Sequence, residues 1–101
     1  MVKLGPNNEE QVGRLEVFDT VTDELKEIYA KKNADYGDSF KVSLEKFGEV
    51  AYVVRASDKM QRLEQLVNND ARVDDESFED TVRDLANYCI MYLLHREEGA
   101  I

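Results

Sequence analysis

The chain has 101 residues, with no tryptophan, one proline, one cysteine, one histidine and only five glycines. A lone cysteine, Cys89, rules out an intrachain disulfide. Cys89 and His95 together cannot supply the four ligands of a Cys/His metal centre. Scarce proline and glycine argue against a turn-rich, many-stranded protein. No glycine-rich phosphate loop occurs, which excludes P-loop and dinucleotide-fold enzymes, and no nucleophilic triad can be assembled. Basic residues are also in short supply: 13 Lys and Arg face 22 Asp and Glu, a formal net charge of −9. Such a balance disfavours gripping duplex nucleic acid or an anionic membrane surface. It leaves small nucleotides open, because Mg²⁺ and a few local bases suffice for them. No apolar run reaches transmembrane length, and the opening Met1–Pro6 lacks a signal-peptide pattern. The expected location is the cytoplasm, that of a host cell if the gene is phage-borne.

What the chain does have is a 43% hydrophobic content, enough for one small core. Residues 1–12 are expected to be a leader and 13–98 a single helical domain. Pro6 to Glu10 offers a helix start with acids in the first turn. Val12, Leu15, Phe18, Val21, Leu25, Ile28 and Tyr29 then recur at gaps of one, three and four, which predicts an amphipathic helix to about Lys32. Thr20 and Thr22 leave open a break near 20–23. Asp38 or Ser39 can cap a short helix over 40–47, stopped by Gly48. A second long helix is expected over 49–68, with Val53, Ala56, Met60, Leu63 and Val67 as its core stripe. A loop over 68–75 leads to a third, capped by Asp75 and running to about Glu97, with Gly99 beyond. The predicted fold is all-α: three long helices plus a short one.

The last helix is unusual. Tyr88, Cys89, Ile90, Met91, Tyr92, Leu93 and Leu94 surround it with apolar side chains. Two neighbouring helices cannot cover every side, so a second subunit, in a homodimer, is expected. Cys89 within that stretch reads as a buried, inert thiol, and His95 as a helix-end residue meeting the dipole.

Into the same helix run Asp80, Asp84 and Asn87, which share one face. Carboxylates aimed at an apolar environment are costly unless something pairs with them. On the preceding helix, Arg55, Lys59 and Arg62 form a basic stripe at i, i+4 and i+7 beside Asp58. One reading makes these interhelical ion pairs, for example Arg55 or Arg62 with Asp80 or Asp84. The other makes them a site in which acids hold Mg²⁺ and bases hold phosphate. The connector Lys31 to Phe40 adds to the second reading. It carries Lys32 for a phosphate, Tyr36 to stack on a base, and Asp35 beside them.

Three blocks carry a resemblance: Lys32 to Phe40, Arg55 to Leu63, and Glu76 to Tyr88. Together they resemble the signature blocks of the nucleotide modification associated domain 1 family, small and often phage-encoded helical proteins. The match spans roughly 15–94 and implies a link to nucleotide or DNA-base modification. More distantly, the chain is similar to the all-α NTP pyrophosphohydrolases, MazG-like and dimeric dUTPase-like. Those enzymes hold Mg²⁺ around a nucleoside triphosphate with acids on neighbouring helices. Asp84 resembles their final acidic position. Their Glu-Glu-x-x-Glu motif is missing here, and Thr81-x-x-Asp84 stands where they have Glu-x-x-Asp.

The expected function is nucleotide binding, with Mg²⁺-dependent hydrolysis of (deoxy)nucleoside triphosphates as its enzymatic form. Asp80 and Asp84 would be catalytic and, with Asp58 and Glu76, would ligate Mg²⁺. Lys32, Asp35, Tyr36, Arg55, Lys59, Arg62 and Asn87 would bind the nucleotide. The alternative is a non-enzymatic helical adaptor whose Arg and Asp stripes are structural.

Overall fold

The structure, a computed structural model, describes residues 8–33, 37–68 and 75–101, and of residues 8, 37 and 75–77 the backbone alone. Four helices follow in order: α1 (Asn8–Lys32), α2 (Gly37–Phe47), α3 (Glu49–Asn68) and α4 (Asp75–Glu97). The described residues contain no strand, and the fold is all-α as the sequence predicts. Of the expected leader over 1–12, residues 8–12 belong to α1 and residues 1–7 lie outside the described residues. The connector over 34–36, the loop over 69–74 and the capping side chain of Asp75 lie outside them too. No helix among the described residues is long and apolar enough to cross a membrane.

α1 runs without interruption through 20–23. Thr20 and Thr22 are accommodated by turning their hydroxyls back onto the helix. Thr20 Oγ1 donates to the Glu16 carbonyl at 3.1 Å, and Thr22 Oγ1 to the Phe18 and Asp19 carbonyls, each at 3.1 Å. This satisfies the hydroxyls locally instead of diverting the backbone.

α2 begins at Gly37, ahead of the Asp38 or Ser39 caps that its sequence suggests; both belong to its first turn. It ends where expected. Gly48 takes φ +70°, a conformation that favours glycine, and its N–H donates to the Leu44 carbonyl at 2.8 Å. The Gly48 carbonyl in turn accepts the Ala51 N–H at 3.1 Å. One residue therefore closes α2 and opens α3, so the two helices meet at a corner. Gly99, with φ +83°, closes α4 in a similar way: its N–H reaches the Arg96 carbonyl and the Ala100 N–H reaches that of His95.

The apolar core sits inside the corner. Phe40, Leu44, Ala51 and Met91 are buried, Leu44 completely, with Tyr29, Tyr52, Tyr88 and Tyr92 packed around them. Phe40 meets Tyr88 edge-on at 5.1 Å between ring centroids, and Tyr52 lies 5.0 Å from Tyr92. α3 and α4 are antiparallel: Tyr52 touches Cys89 while Lys59 touches Asp84.

The core stripe of α3 differs from the expected one. Val53, Met60 and Val67 are exposed, whereas Tyr52, Ala56, Lys59, Leu63 and Leu66 are half-buried. Ala56 and Leu63 are common to both, and with Tyr52, Lys59 and Leu66 in place of Val53, Met60 and Val67 the centre of the stripe is turned by roughly 60°. The observed stripe includes a lysine, which can face the partner helix because a carboxylate meets it there.

Candidate functional site

α1, α3 and α4 enclose a cavity of about 450 Å³, counted out to its open mouth and lined by Ile28, Tyr29, Lys32, Asn33, Lys59, Asp84, Asn87, Tyr88 and Met91. Only about 60 Å³ of it is open to the centre of a water-sized sphere, below the roughly 300–1,000 Å³ of small-molecule sites, so the enclosed part is small and the rest is open mouth. Its walls divide by chemistry. Ile28, Tyr29, Tyr88 and Met91 give an apolar and aromatic side, and Lys32, Lys59 and Asp84 a charged one.

The charged side is built from three helices. Asp84 of α4 projects between Lys32, at the end of α1, and Lys59, in the middle of α3. Its Oδ1 lies 3.5 Å from Lys32 Nζ and its Oδ2 3.4 Å from Lys59 Nζ. These distances are long for charge-assisted hydrogen bonds. Among the described residues that line it, the charged side holds two ammonium groups and one carboxylate. The tyrosine rings lie beside these charges.

Asn87 fixes α1 to α4. Its side chain is buried, and Nδ2 donates to the Leu25 carbonyl at 3.2 Å. Leu25 lies inside α1, so that carbonyl is offered in addition to the helix ladder. Arg83 provides the second tie. Its Nε reaches Glu24 of α1 at 2.7 Å, and its other nitrogens reach Asp80 at 3.2 Å and Glu79 at 3.4 Å. The site depends on these ties because the end of α1 forms one of its walls.

Of the residues singled out from sequence, Lys32, Lys59, Asp84 and Asn87 come together in this cavity. Asp80 does not: it is exposed and paired with Arg83 on its own helix. Asp58 is exposed too. Arg55 and Arg62 are exposed and form no ion pair among the described residues, so the ion-pair account had the wrong bases. Relative to Lys59 they are rotated roughly 40–60° around α3, away from α4. Asp35 and Tyr36, and the side chain of Glu76, lie outside the described residues. No three His, Cys, Asp or Glu side chains converge into a metal-holding group among the described residues.

Sequence reasoning missed Tyr29, Tyr88 and Arg83. Both tyrosines sit in apolar stripes and read as core. The i+3 and i+4 spacing of Arg83 from Asp80 and Glu79 was a usable signal. Its bond to Glu24, across the fold, had none. Cys89 is half-buried rather than buried, and its thiol lies 3.2 Å from the Tyr52 hydroxyl. That hydrogen bond first, and burial second, raise the Tyr52 hydroxyl above the ordinary tyrosine value. His95 is buried, with Nδ1 at 3.0 Å from Glu98 and Nε2 without a partner among the described residues.

Fold and cavity together define an all-helical protein with a pocket between three helices, lined among the described residues by lysines, an aspartate and tyrosines. The sequence profile of the family described as nucleotide modification associated domain 1 matches residues 32–95, from Lys32 at the pocket to the end of α4, and the chain belongs to that family. No curated protein and no solved structure gives a significant match.

Proposed function

We propose that the pocket binds a nucleotide, with Lys32 and Lys59 on the phosphates and Tyr29 or Tyr88 against the base. The observation that carries this reading is Asp84 held between two lysines beside aromatic rings. In the free protein the carboxylate lies within ion-pair distance of both ammonium groups. A phosphate entering the pocket would take over the lysines, since ammonium groups pair with it at least as well. Asp84 would then be released beside the phosphates.

The released carboxylate fits Mg²⁺ carried in by the nucleotide. This ion is usually held by one or two carboxylates plus substrate phosphates, and it keeps several waters. Among the described residues Asp84 is the carboxylate that lines the pocket, and Asp58 and Asp80 are exposed outside it. The ion's chemical contribution would be to neutralise phosphate charge. Asn87 keeps the end of α1 in place, and its Oδ1 remains an acceptor for a base or sugar. Hydrolysis is the further step to be tested, by product analysis with each nucleotide that binds.

A second reading has one observation in its favour: Asp80 and Asp84 are both already paired with bases. A non-enzymatic adaptor would need such pairs only to hold its helices together.

Thermal denaturation across nucleoside mono- and triphosphates and pyrophosphate, with and without Mg²⁺, separates the two. A ligand of the native state raises the melting temperature by mass action. The pocket reading expects a shift with phosphorylated nucleotides that Lys59→Gln removes. No shift at millimolar concentrations of any of them would favour the adaptor.

A further inference from the structure

Among the described residues α2 contributes nothing to the pocket wall, yet it touches that wall from outside through one ring. Phe40 is 3% exposed and packs with Leu44, Ala51 and Met91 in the core. It meets Tyr88, which lines the pocket, edge-on: the centroids are 5.1 Å apart and the planes lie at 77°. The buried His95 is its second ring neighbour, at 6.4 Å and 53°. Phe40 is therefore held on several sides and cannot yield when Tyr88 presses on it.

Two half-buried tyrosines of the pocket, Tyr29 and Tyr88, offer a ring to a base. They differ in what holds them. Tyr88 leans on the fixed Phe40 ring, whereas Tyr29 makes no ring contact among the described residues. A ring that is already fixed loses little freedom when a second ring stacks on it, so the held tyrosine binds a base at lower cost. An edge-on contact is a favoured aromatic geometry, and in either sense it leaves at least one face of Tyr88 outside the pair. The enclosed part of the cavity is small, so a base would rest against a wall in the open mouth and depend on that wall being fixed.

We propose that Tyr88 is the platform for the ligand's base and that Phe40 is its positioning residue. α2 then sets affinity for the base, while Lys32 and Lys59 set affinity for the phosphates. This inference rests on the nucleotide reading above and deepens it.

The test is calorimetric titration of the full chain with nucleoside triphosphates and with inorganic tripolyphosphate, which has the phosphates and no base. Tyr88→Leu should weaken nucleotide binding about tenfold. Phe40→Leu keeps an apolar side chain and removes the ring. It should weaken the nucleotide about threefold and leave tripolyphosphate unchanged. In the Tyr88→Leu background Phe40→Leu should have no further effect on the nucleotide, because a residue that acts through another loses its influence with it. A purely structural role would lower both affinities together and in both backgrounds, and that result overturns the inference. If the wild type binds a nucleotide and Phe40→Leu binds it equally well, this inference alone falls. If the wild type binds no nucleotide, the nucleotide reading falls and takes this one with it. Should Phe40→Leu lose its helical circular dichroism, nuclear Overhauser contacts from base protons to the wild-type tyrosine rings decide. Contacts to Tyr88 support the inference, and contacts confined to Tyr29 overturn it.

Discussion

The corner of α2, α3 and α4 and the seam between α1 and α4 hold together by different chemistry. In the corner, Phe40, Leu44 and Met91 interlock with tyrosine rings, and nothing polar is needed. At the seam, Asn87 reaches a carbonyl, Arg83 reaches Glu24, and Asp84 faces two lysines. Burial of apolar area is worth much more than exposed ion pairs. The corner therefore supplies stability, while the seam supplies geometry and charge. The proposed nucleotide site lies at the seam, where polar contacts can be exchanged for a ligand's contacts, as those of a packed core cannot.

Substitutions can break this contrast. The largest effect is expected at Leu44→Ala, inside the corner. Removing a fully buried leucine should cost about 3 kcal/mol in urea unfolding, and an effect below about 1 kcal/mol would mean that the corner is not the core. Lys59→Gln, at the seam, should reverse the pattern: nucleotide affinity falls about tenfold while stability moves by less than about 0.5 kcal/mol. Calorimetric titration and denaturant melts on one sample would show whether the two effects separate.

Asp84→Asn sharpens the contrast through a change of sign. Without Mg²⁺, nucleotide binding should hold or strengthen, because a negative charge beside the phosphates is gone. The gain in affinity that Mg²⁺ gives the wild type should disappear. Equal losses with and without Mg²⁺ would mean that Asp84 only positions the lysines.

Gly48→Ala probes the corner's joint. A side chain at φ +70° should cost about 1 kcal/mol, even though the space around Gly48 is open. The smallest effect concerns Tyr52. Its hydroxyl is raised by Cys89, so the folded form holds this proton more tightly than the unfolded form. The stability linked to it is present below the ordinary tyrosine value of 10.0 and is lost as pH rises through the raised one. Tyr52→Phe should flatten the alkaline end of the stability profile.

Much of the fold was legible because helix punctuation is local. Gly48 and Gly99 announce their helix ends, and the three long helices follow from apolar spacing and polar breaks. What the sequence concealed were choices between faces. α3 carries two apolar seams, and spacing alone favours Val53, Met60 and Val67 over a stripe that contains Lys59. The choice depends on Asp84, twenty-five residues away. For the site, Lys32, Lys59, Asp84 and Asn87 were recognisable as charge and amide beside apolar stripes. Their convergence excludes Arg55, Arg62 and Asp80, because it follows helix rotation and crossing, which spacing does not specify. Tyr29 and Tyr88 were read as core because a ring lining a pocket and a ring filling one obey the same periodicity.

The most direct measurement is a ¹⁵N–¹H correlation titration of the full chain with a nucleoside triphosphate, with and without Mg²⁺. The account predicts shifts concentrated at Ile28 to Asn33, Lys59 and Asp84 to Met91, with the Phe40 and Leu44 amides nearly still. No shift with any of the nucleotides, or shifts clustered away from the α1, α3 and α4 junction, would contradict it.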